Sequence, residues 1–224
     1  MSSKYVALTD QLNDYVLAHR SNVDDPVLDA LRAETENLGE IGEMAIGRYQ
    51  GDVLNFLAEI TGAKWAVEVG TFTGMSSICI ARGLAPGGKL ICFDQDFKWT
   101  TIARRYWQKA GVQDRIELRL GNAREVLPRF RFSHPLDFAF IDADKESYNI
   151  YYEALLPKMR TGGLMVFDNM LQAGQVIDPT QRHAPATRAI NQLNYKLATD
   201  DRVQSIMLPV VDGLHLCRKL REVI

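Results

Sequence analysis

The chain has 224 residues, a hydrophobic content of 46% and 26 Lys and Arg against 28 Asp and Glu, a net charge of −2. This small charge excludes attraction of nucleic acid or anionic membrane by the field of the whole molecule. No apolar run approaches the ~18 residues that a membrane span needs, and the first ten residues lack a signal-peptide pattern. We therefore expect a cytoplasmic protein with one domain over residues 1–224, including a helical N-terminal extension over residues 1–45.

Apolar residues at helical spacing predict helices over residues 5–17, 27–38 and 53–60. From residue 65 onward, short apolar runs alternate with amphipathic stretches, which is typical of βαβ units around a parallel sheet. After a predicted helix over 186–197, the Asp212-Gly213 turn signal joins two final strands. We expect an α/β, Rossmann-like fold with strands over 65–69, 89–93, 116–120, 136–141, 164–167, 203–209 and 214–217, and intervening helices over 75–82, 100–110, 123–127 and 146–159.

The cysteines and histidines form no recognisable site. Cys79, Cys92 and Cys217 are far apart and embedded in apolar runs, so we expect reduced core residues and neither a disulfide nor a zinc framework. The histidines lack metal-ligand spacing and are predicted to be surface or loop residues: His19, His134, His183 and His215.

A glycine loop follows the first predicted strand, in the sequence VEVGTFTG. Gly70 and Gly74 precede a predicted helix, an arrangement that binds nucleotides because glycine allows a tight turn and close backbone approach. The spacing is not that of a dinucleotide fingerprint, and no Gly-Lys-Ser/Thr follows to hold a triphosphate. Taken alone, the loop could equally be a tight strand-to-helix turn.

Two acids near this loop narrow the ligand class. Glu68 lies inside an apolar strand, where a charge is costly without a partner such as a ligand ammonium. Asp94 ends the second strand, where a carboxylate can accept both hydroxyls of a ribose. Together they indicate a nucleoside without pyrophosphate, of which S-adenosylmethionine is the commonest cofactor. Three further residues would line the same pocket or serve only as packing: Phe72, Ser76 and Ala123.

Polar residues also follow the fourth and fifth strands, in DFAFIDADKESY and GLMVFDN. Asp142, Asp168 and Asn169 would meet at the carboxyl edge of the sheet, where open α/β sheets bind ligands. Three oxygen ligands suit Mg²⁺, with Ca²⁺ or Mn²⁺ as alternatives. A hydroxyl bound to such an ion loses its proton more readily, and the amine of Lys145 could accept it. Asp144 could instead cap the following helix.

These motifs resemble the metal-dependent O-methyltransferase family that includes catechol and caffeoyl-coenzyme A O-methyltransferases. The resemblance runs from about residue 44 to residue 219 and is carried by MAIGRYQG, VEVGTFTGMSS, CFDQD, IDADKESY, GGLMVFDN and VDGLHLC. It implies a class I methyltransferase with a seven-stranded sheet, an antiparallel last strand and a homodimer. It also implies metal binding by Asp142, Asp168 and Asn169 and catalysis by Lys145.

The resemblance implies that eight residues contact S-adenosylmethionine: Ile46, Glu68, Gly70, Thr71, Ser76, Asp94, Ala123 and Asp144. We add Phe72 and Asp142 to this set. The expected acceptor is a catechol-type aromatic diol of small size. Relatives often have Trp in the segment that holds Gln172 here, and an acid-Glu-Gly or Glu-Gln-Gly run in place of Tyr49-Gln50-Gly51. Both departures bear on acceptor specificity more than on the chemistry.

Three alternatives remain open at this point. Residues 98–131 carry nine bases and three acids, which supports a methyltransferase acting on hydroxyuridine in transfer RNA. That stretch flanks the cofactor half of the predicted sheet, however, so we expect no nucleic-acid partner. A second alternative is a nicotinamide-dependent oxidoreductase, but the glycine fingerprint of that class is absent from this sequence. A non-catalytic module that binds an adenosyl ligand would give no role to the metal triad or to Lys145.

Overall fold

The computed structural model describes residues 6–21 and 24–222. Seven strands form one sheet, and in chain order they are β1 (Trp65–Val69), β2 (Lys89–Asp94), β3 (Ile116–Leu120), β4 (Leu136–Ile141), β5 (Met159–Phe167), β6 (Val203–Leu208) and β7 (Leu214–Lys219). Their order in the sheet is β3-β2-β1-β4-β5-β7-β6. Strands β1 to β5 pair in parallel, whereas β7 is antiparallel to both β5 and β6. The predicted Rossmann-like sheet with a final antiparallel hairpin is confirmed.

Helices cover both faces of this sheet. In chain order the α-helices of the described residues are α1 (Asp10–Ala18), α2 (Pro26–Glu36), α3 (Arg48–Ile60), α4 (Met75–Gly83), α5 (Phe97–Lys109), α6 (Ala123–Val126), α7 (Tyr148–Leu155) and α8 (Pro185–Thr199). Residues of β1 alternate between two cores: Ala66 packs with α3, α4 and α5, whereas Val67 and Val69 pack with α7 and α8. In the described part of the chain, no helix is long and apolar enough to cross a membrane.

Several predicted element boundaries are wrong, among them the start of α3 at Arg48 rather than at residue 53. The first helix begins at Asp10 rather than at residue 5, because Thr9 caps it by accepting a hydrogen bond from the Leu12 N–H. Residue 5 itself lies outside the described residues. Strand β5 begins at Met159 rather than at residue 164 because Met159 pairs with Leu136 across a register irregularity. The preceding helix therefore ends earlier than predicted.

The histidine prediction also needs one correction. His215 is buried, with 4% of its surface exposed, because β7 lies between β5 and β6. The prediction for the cysteines is confirmed, since all three are buried and unpaired.

The N-terminal extension is attached to the body by ion pairs. Arg20 of the extension pairs with Asp52 of α3 at 2.5 Å, and Asp25, which caps α2, pairs with Arg82 of α4 at 2.5 Å. Arg48 lies between these groups and pairs with both acids. This network attaches the N-terminal extension to α3 and α4.

Candidate functional site

A cavity of about 620 Å³ opens at the carboxyl ends of the central strands, and we call it the carboxyl-end cavity. The sequence-predicted residues that line it are Ile46, Gly70, Thr71, Phe72, Ser76, Asp94, Ala123, Asp142, Asp144, Lys145 and Asn169. The two remaining predicted residues, Glu68 and Asp168, are buried and absent from its lining. One cavity thus brings together most of the residues predicted to bind the cofactor and most of those predicted to react.

The glycine loop depends on Gly70. Its φ of +92° lies in the left-handed region, and a Cβ there would stand 1.9 Å from the carbonyl oxygen of Asp142. Only glycine lets the ends of β1 and β4 approach this closely. The requirement places the glycine loop directly beside Asp142, one of the predicted metal ligands.

Asp94 supports the same loop from the end of β2. Its Oδ2 accepts hydrogen bonds from the N–H groups of Thr71 and Phe72, at 2.9 and 2.8 Å. Its Oδ1 accepts one from the Asp96 N–H at 2.8 Å. Phe72 has a φ of +49°, a region that residues with a Cβ disfavour, so these bonds hold a strained turn. The sequence had suggested only contact with a ribose.

Glu68 lies at the end of β1 with none of its surface exposed. Neither carboxylate oxygen has a partner with hydrogen-bond geometry. Burial raises the pKa of Glu68 to about 7, although the nearby side chains of Ser76, Cys92 and Thr71 lower it. A buried acid without a partner is expected where a polar ligand completes the site, and its contact with a ligand ammonium stays a prediction.

The three predicted metal ligands differ in their surroundings. Asp142 accepts a hydrogen bond from Lys145 Nζ at 2.8 Å. Asp168 is 3% exposed, and burial together with the negative charge of Asp142 raises its pKa. Asn169 lines the cavity, and its backbone N–H donates to Asp168 Oδ1 at 2.7 Å.

This donor set fits a hard divalent cation. Two carboxylates that repel each other in a buried place are stabilised by a positive charge between them, and oxygen ligands suit Mg²⁺. In the described part of the chain, no group of three or more His, Cys, Asp or Glu side chains could hold an ion. A cation site here would combine the carboxylates of Asp142 and Asp168 with the amide oxygen of Asn169.

Two tyrosines that the sequence analysis missed hold the reaction residues. Tyr148 OH accepts a hydrogen bond from Lys145 Nζ at 2.8 Å and donates one to the Asp168 carbonyl at 3.2 Å. Burial and the nearby acids raise the pKa of Tyr148 well above its usual range, so it is a neutral hydroxyl. Tyr151 OH donates to Asp144 Oδ1 at 2.5 Å. The signal was their position in DADKESYNIYY, within two turns after Lys145.

The alternative role of Asp144 as a helix cap is not borne out. Asp144 occupies the N-cap position of a short 3₁₀ helix, Lys145–Ser147, but its side chain makes no capping hydrogen bond. Its carboxylate lines the cavity instead.

The two departures from the family pattern both lie close to the reaction residues. Gln172 lines the cavity, and its buried Oε1 has no hydrogen-bond partner. Gln50 is buried, and its side chain lowers the pKa of Asp168.

The lining of the cavity is strongly acidic. Lys145 is the one basic side chain among the described residues that line it. With Lys145 included, the formal net charge of the lining is −5, because six carboxylates also line the cavity: Glu43, Asp94, Asp96, Asp142, Asp144 and Asp212. Such a lining favours cationic ligands and repels anionic ones.

The chain is similar to known proteins over most of its length. The family model described as O-methyltransferase matches residues 18–220. The chain is 33% identical to a Dictyostelium discoideum protein named probable caffeoyl-CoA O-methyltransferase 1 (96% of this chain, 94% of that protein). It is 35% identical to the catechol O-methyltransferase of Niastella koreensis (84% and 89%). A solved O-methyltransferase of Bacillus cereus in complex with SAH superposes with a TM-score of 0.84 at 30% identity (93% and 97%). The chain belongs to the O-methyltransferase family.

Proposed function

We propose that this protein transfers a methyl group from S-adenosylmethionine to one hydroxyl of a small catechol-type diol, with a divalent cation held by Asp142, Asp168 and Asn169. The observation that carries the proposal is the shared cavity. The glycine loop and Asp94 line one part of it, and Lys145 and Asn169 line another. A methyl donor and a diol bound there would be neighbours, and much of the catalysis would come from their positioning.

The cofactor half of the site fits a nucleoside with a positively charged chain. Asp94 holds the glycine loop in place, and an outward-facing lone pair of its carboxylate could accept a ribose hydroxyl. The buried acid Glu68 and the acidic lining favour the ammonium and sulfonium charges of S-adenosylmethionine. The SAH complex of the Bacillus cereus relative supports this choice of ligand.

The reaction half fits a diol that must lose a proton. A divalent cation at the triad supplies positive charge that lowers the pKa of a diol hydroxyl placed beside it. Lys145 is held at the cavity wall by Asp142 and Tyr148, where its Nζ is the group that we propose to take the hydroxyl proton. The deprotonated oxygen would then attack the methyl carbon, so that the new O–C bond replaces the S–C bond of the sulfonium and S-adenosylhomocysteine leaves.

The proposal is tested by a methyl-transfer assay on catechol and on phenol, each with Mg²⁺ and after dialysis against EDTA. We expect transfer to catechol with Mg²⁺, little transfer to phenol, and recovery of activity when Mg²⁺ is returned to the dialysed protein. Full activity in excess EDTA would refute the metal requirement, and equal rates on phenol would refute recognition of a diol.

The family resemblance also leads us to propose a homodimer. Light scattering coupled to size-exclusion chromatography tests this directly. A monomer at micromolar concentration would contradict it.

A further inference from the structure

The turn of the β6–β7 hairpin lies against the segment that follows β5. The N–H groups of Met170 and Leu171 donate to the carbonyls of Gly213 and Asp212, at 3.0 and 2.9 Å. A Cβ at position 213 would stand 2.6 Å from Leu171 Cγ, so only glycine allows this approach. The turn is therefore fixed against the chain that carries Asn169.

Asp212 uses both carboxylate oxygens at this contact. Its Oδ2 accepts a hydrogen bond from the Asn169 side-chain Nδ2 at 3.1 Å, and its Oδ1 accepts one from the Ala173 N–H at 2.6 Å. A carboxylate only accepts hydrogen bonds, so it selects the NH₂ end of the Asn169 amide. The amide oxygen, which is the end that can bind a cation, is thereby turned away from Asp212.

The loop held by the second hydrogen bond has an unfavourable backbone. Gln172 and Ala173 both have a φ of +49°, followed by Gly174 at +79°. Residues with a Cβ disfavour this region, so consecutive left-handed residues persist only where surrounding contacts hold them. Gln172 and Ala173 line the carboxyl-end cavity, so the hydrogen bond to Asp212 also fixes part of the acceptor wall.

We infer that Asp212 is a positioning residue that sets the Asn169 amide for cation binding and, through its second oxygen, fixes the cavity loop at Gln172 and Ala173. The inference rests on the proposed function, because it takes Asn169 as a cation ligand. Asp212 therefore couples cation binding by Asn169 to the shape of the acceptor wall. Loss of the Asp212 carboxylate weakens cation binding and acceptor binding together. The glycine loop that follows β1 is left intact, because Asp94 of β2 holds it.

The experiment measures Mn²⁺ binding by electron paramagnetic resonance on the full chain without acceptor, for wild type, Asp212→Ala and Asp212→Asn. We expect the Mn²⁺ dissociation constant of Asp212→Ala to rise roughly 10-fold or more, as for other residues that orient a metal ligand. Asp212→Asn keeps one accepting oxygen and should fall between the two. The KM for catechol should rise in the same order, and the SAH dissociation constant should stay within about 2-fold.

Two further variants separate the possible failures. Asp201→Asn makes the same charge change at an exposed acid on the protein surface and should leave Mn²⁺ binding unchanged. Asp168→Asn removes a proposed ligand and should abolish it. If Asp168→Asn abolishes Mn²⁺ binding but both Asp212 variants bind as wild type, the role of Asp212 is refuted and the proposed function stands. If Asp168→Asn also binds as wild type, the metal site itself is refuted. An equal loss of SAH and Mn²⁺ affinity in both Asp212 variants would show general loosening and would also overturn the inference.

Discussion

Replacing Asp94 with Ala should destabilise the protein and weaken cofactor binding at the same time. The carboxylate accepts two hydrogen bonds from the glycine loop, at 2.9 and 2.8 Å, and a third from Asp96. A buried amide left without an acceptor costs roughly 1–3 kcal/mol. Water in the cavity can replace part of each bond, so we take the lower figure for the two loop amides. The expected loss in the free energy of unfolding is about 2 kcal/mol, which in a chain of this size lowers Tm by roughly 4–8 °C.

Cofactor affinity should fall for a second reason. The variant loses the acceptor that we expect to meet the ribose hydroxyls, and charge-assisted hydrogen bonds of this kind contribute about 1–3 kcal/mol, or roughly 5- to 150-fold in Kd. Asp94→Asn separates the two effects, because its one oxygen can still accept from the loop amides while the charge is lost. We expect its Tm to lie between those of wild type and Asp94→Ala, and its cofactor affinity to stay reduced.

Calorimetry with SAH and thermal unfolding without ligand measure the two quantities separately. Asp114→Ala, at an exposed acid outside the carboxyl-end cavity, serves as a control and should change neither. A wild-type Tm in Asp94→Ala would refute the role of Asp94 in holding the loop. A lowered Tm with unchanged SAH affinity would place Asp94 outside the nucleoside site.

Two further predictions concern the reaction residues, one concerns the charge of the acceptor and one concerns stability. Asp142→Ala should lower kcat at least ~10²-fold, about 2.7 kcal/mol, with little change in cofactor affinity; a near-wild-type rate would argue against a metal ligand. Lys145→Ala and Lys145→Arg should both lower kcat and keep the wild-type Tm. Arg does not restore the rate because a guanidinium stays protonated and cannot accept the hydroxyl proton. A normal rate in either variant would show that Lys145 is structural. Neutral or cationic catechols should have a higher kcat/KM than caffeoyl-CoA, because each net negative charge roughly 10 Å away repels an anion by about 0.4 kcal/mol. Added salt should reduce the difference in kcat/KM between the two substrates. A higher kcat/KM for the ester at both low and high salt would refute the predicted preference. Burial lowers the pKa of His215 from 6.5 to about 4, so between these values the unfolded chain binds more protons. The free energy of unfolding should therefore be highest above about pH 6.5, where His215 is neutral in both states. It should fall toward pH 4 by on the order of 2–3 kcal/mol. In urea unfolding, the free energy of unfolding of His215→Gln should depend less on pH between 4 and 6.5 than that of wild type. An unchanged pH dependence would show that other groups cause it.

The sequence alone determined the sheet and the residues at its carboxyl edge. The bounds of β1 and β4 agree with their apolar runs, because a strand buried in a parallel sheet is apolar along its length. The bounds of β3, an edge strand, also agree, and there apolar and charged residues alternate. The glycine loop and the acids after β4 and β5 could be placed at one edge, because parallel strands all end on the same side. These inferences use only local pattern and chain direction.

Only the tertiary structure decided how those residues are held. Asp212 was predicted as a turn residue, yet its carboxylate meets Asn169, which is 43 positions away. His215 was predicted at the surface, but β7 inserts between β5 and β6 and buries it. The roles of Asp94 and Tyr148 likewise come from partners on other segments. Local periodicity records whether a stretch is buried, whereas the partner of a polar side chain depends on which distant segments the sheet order makes neighbours.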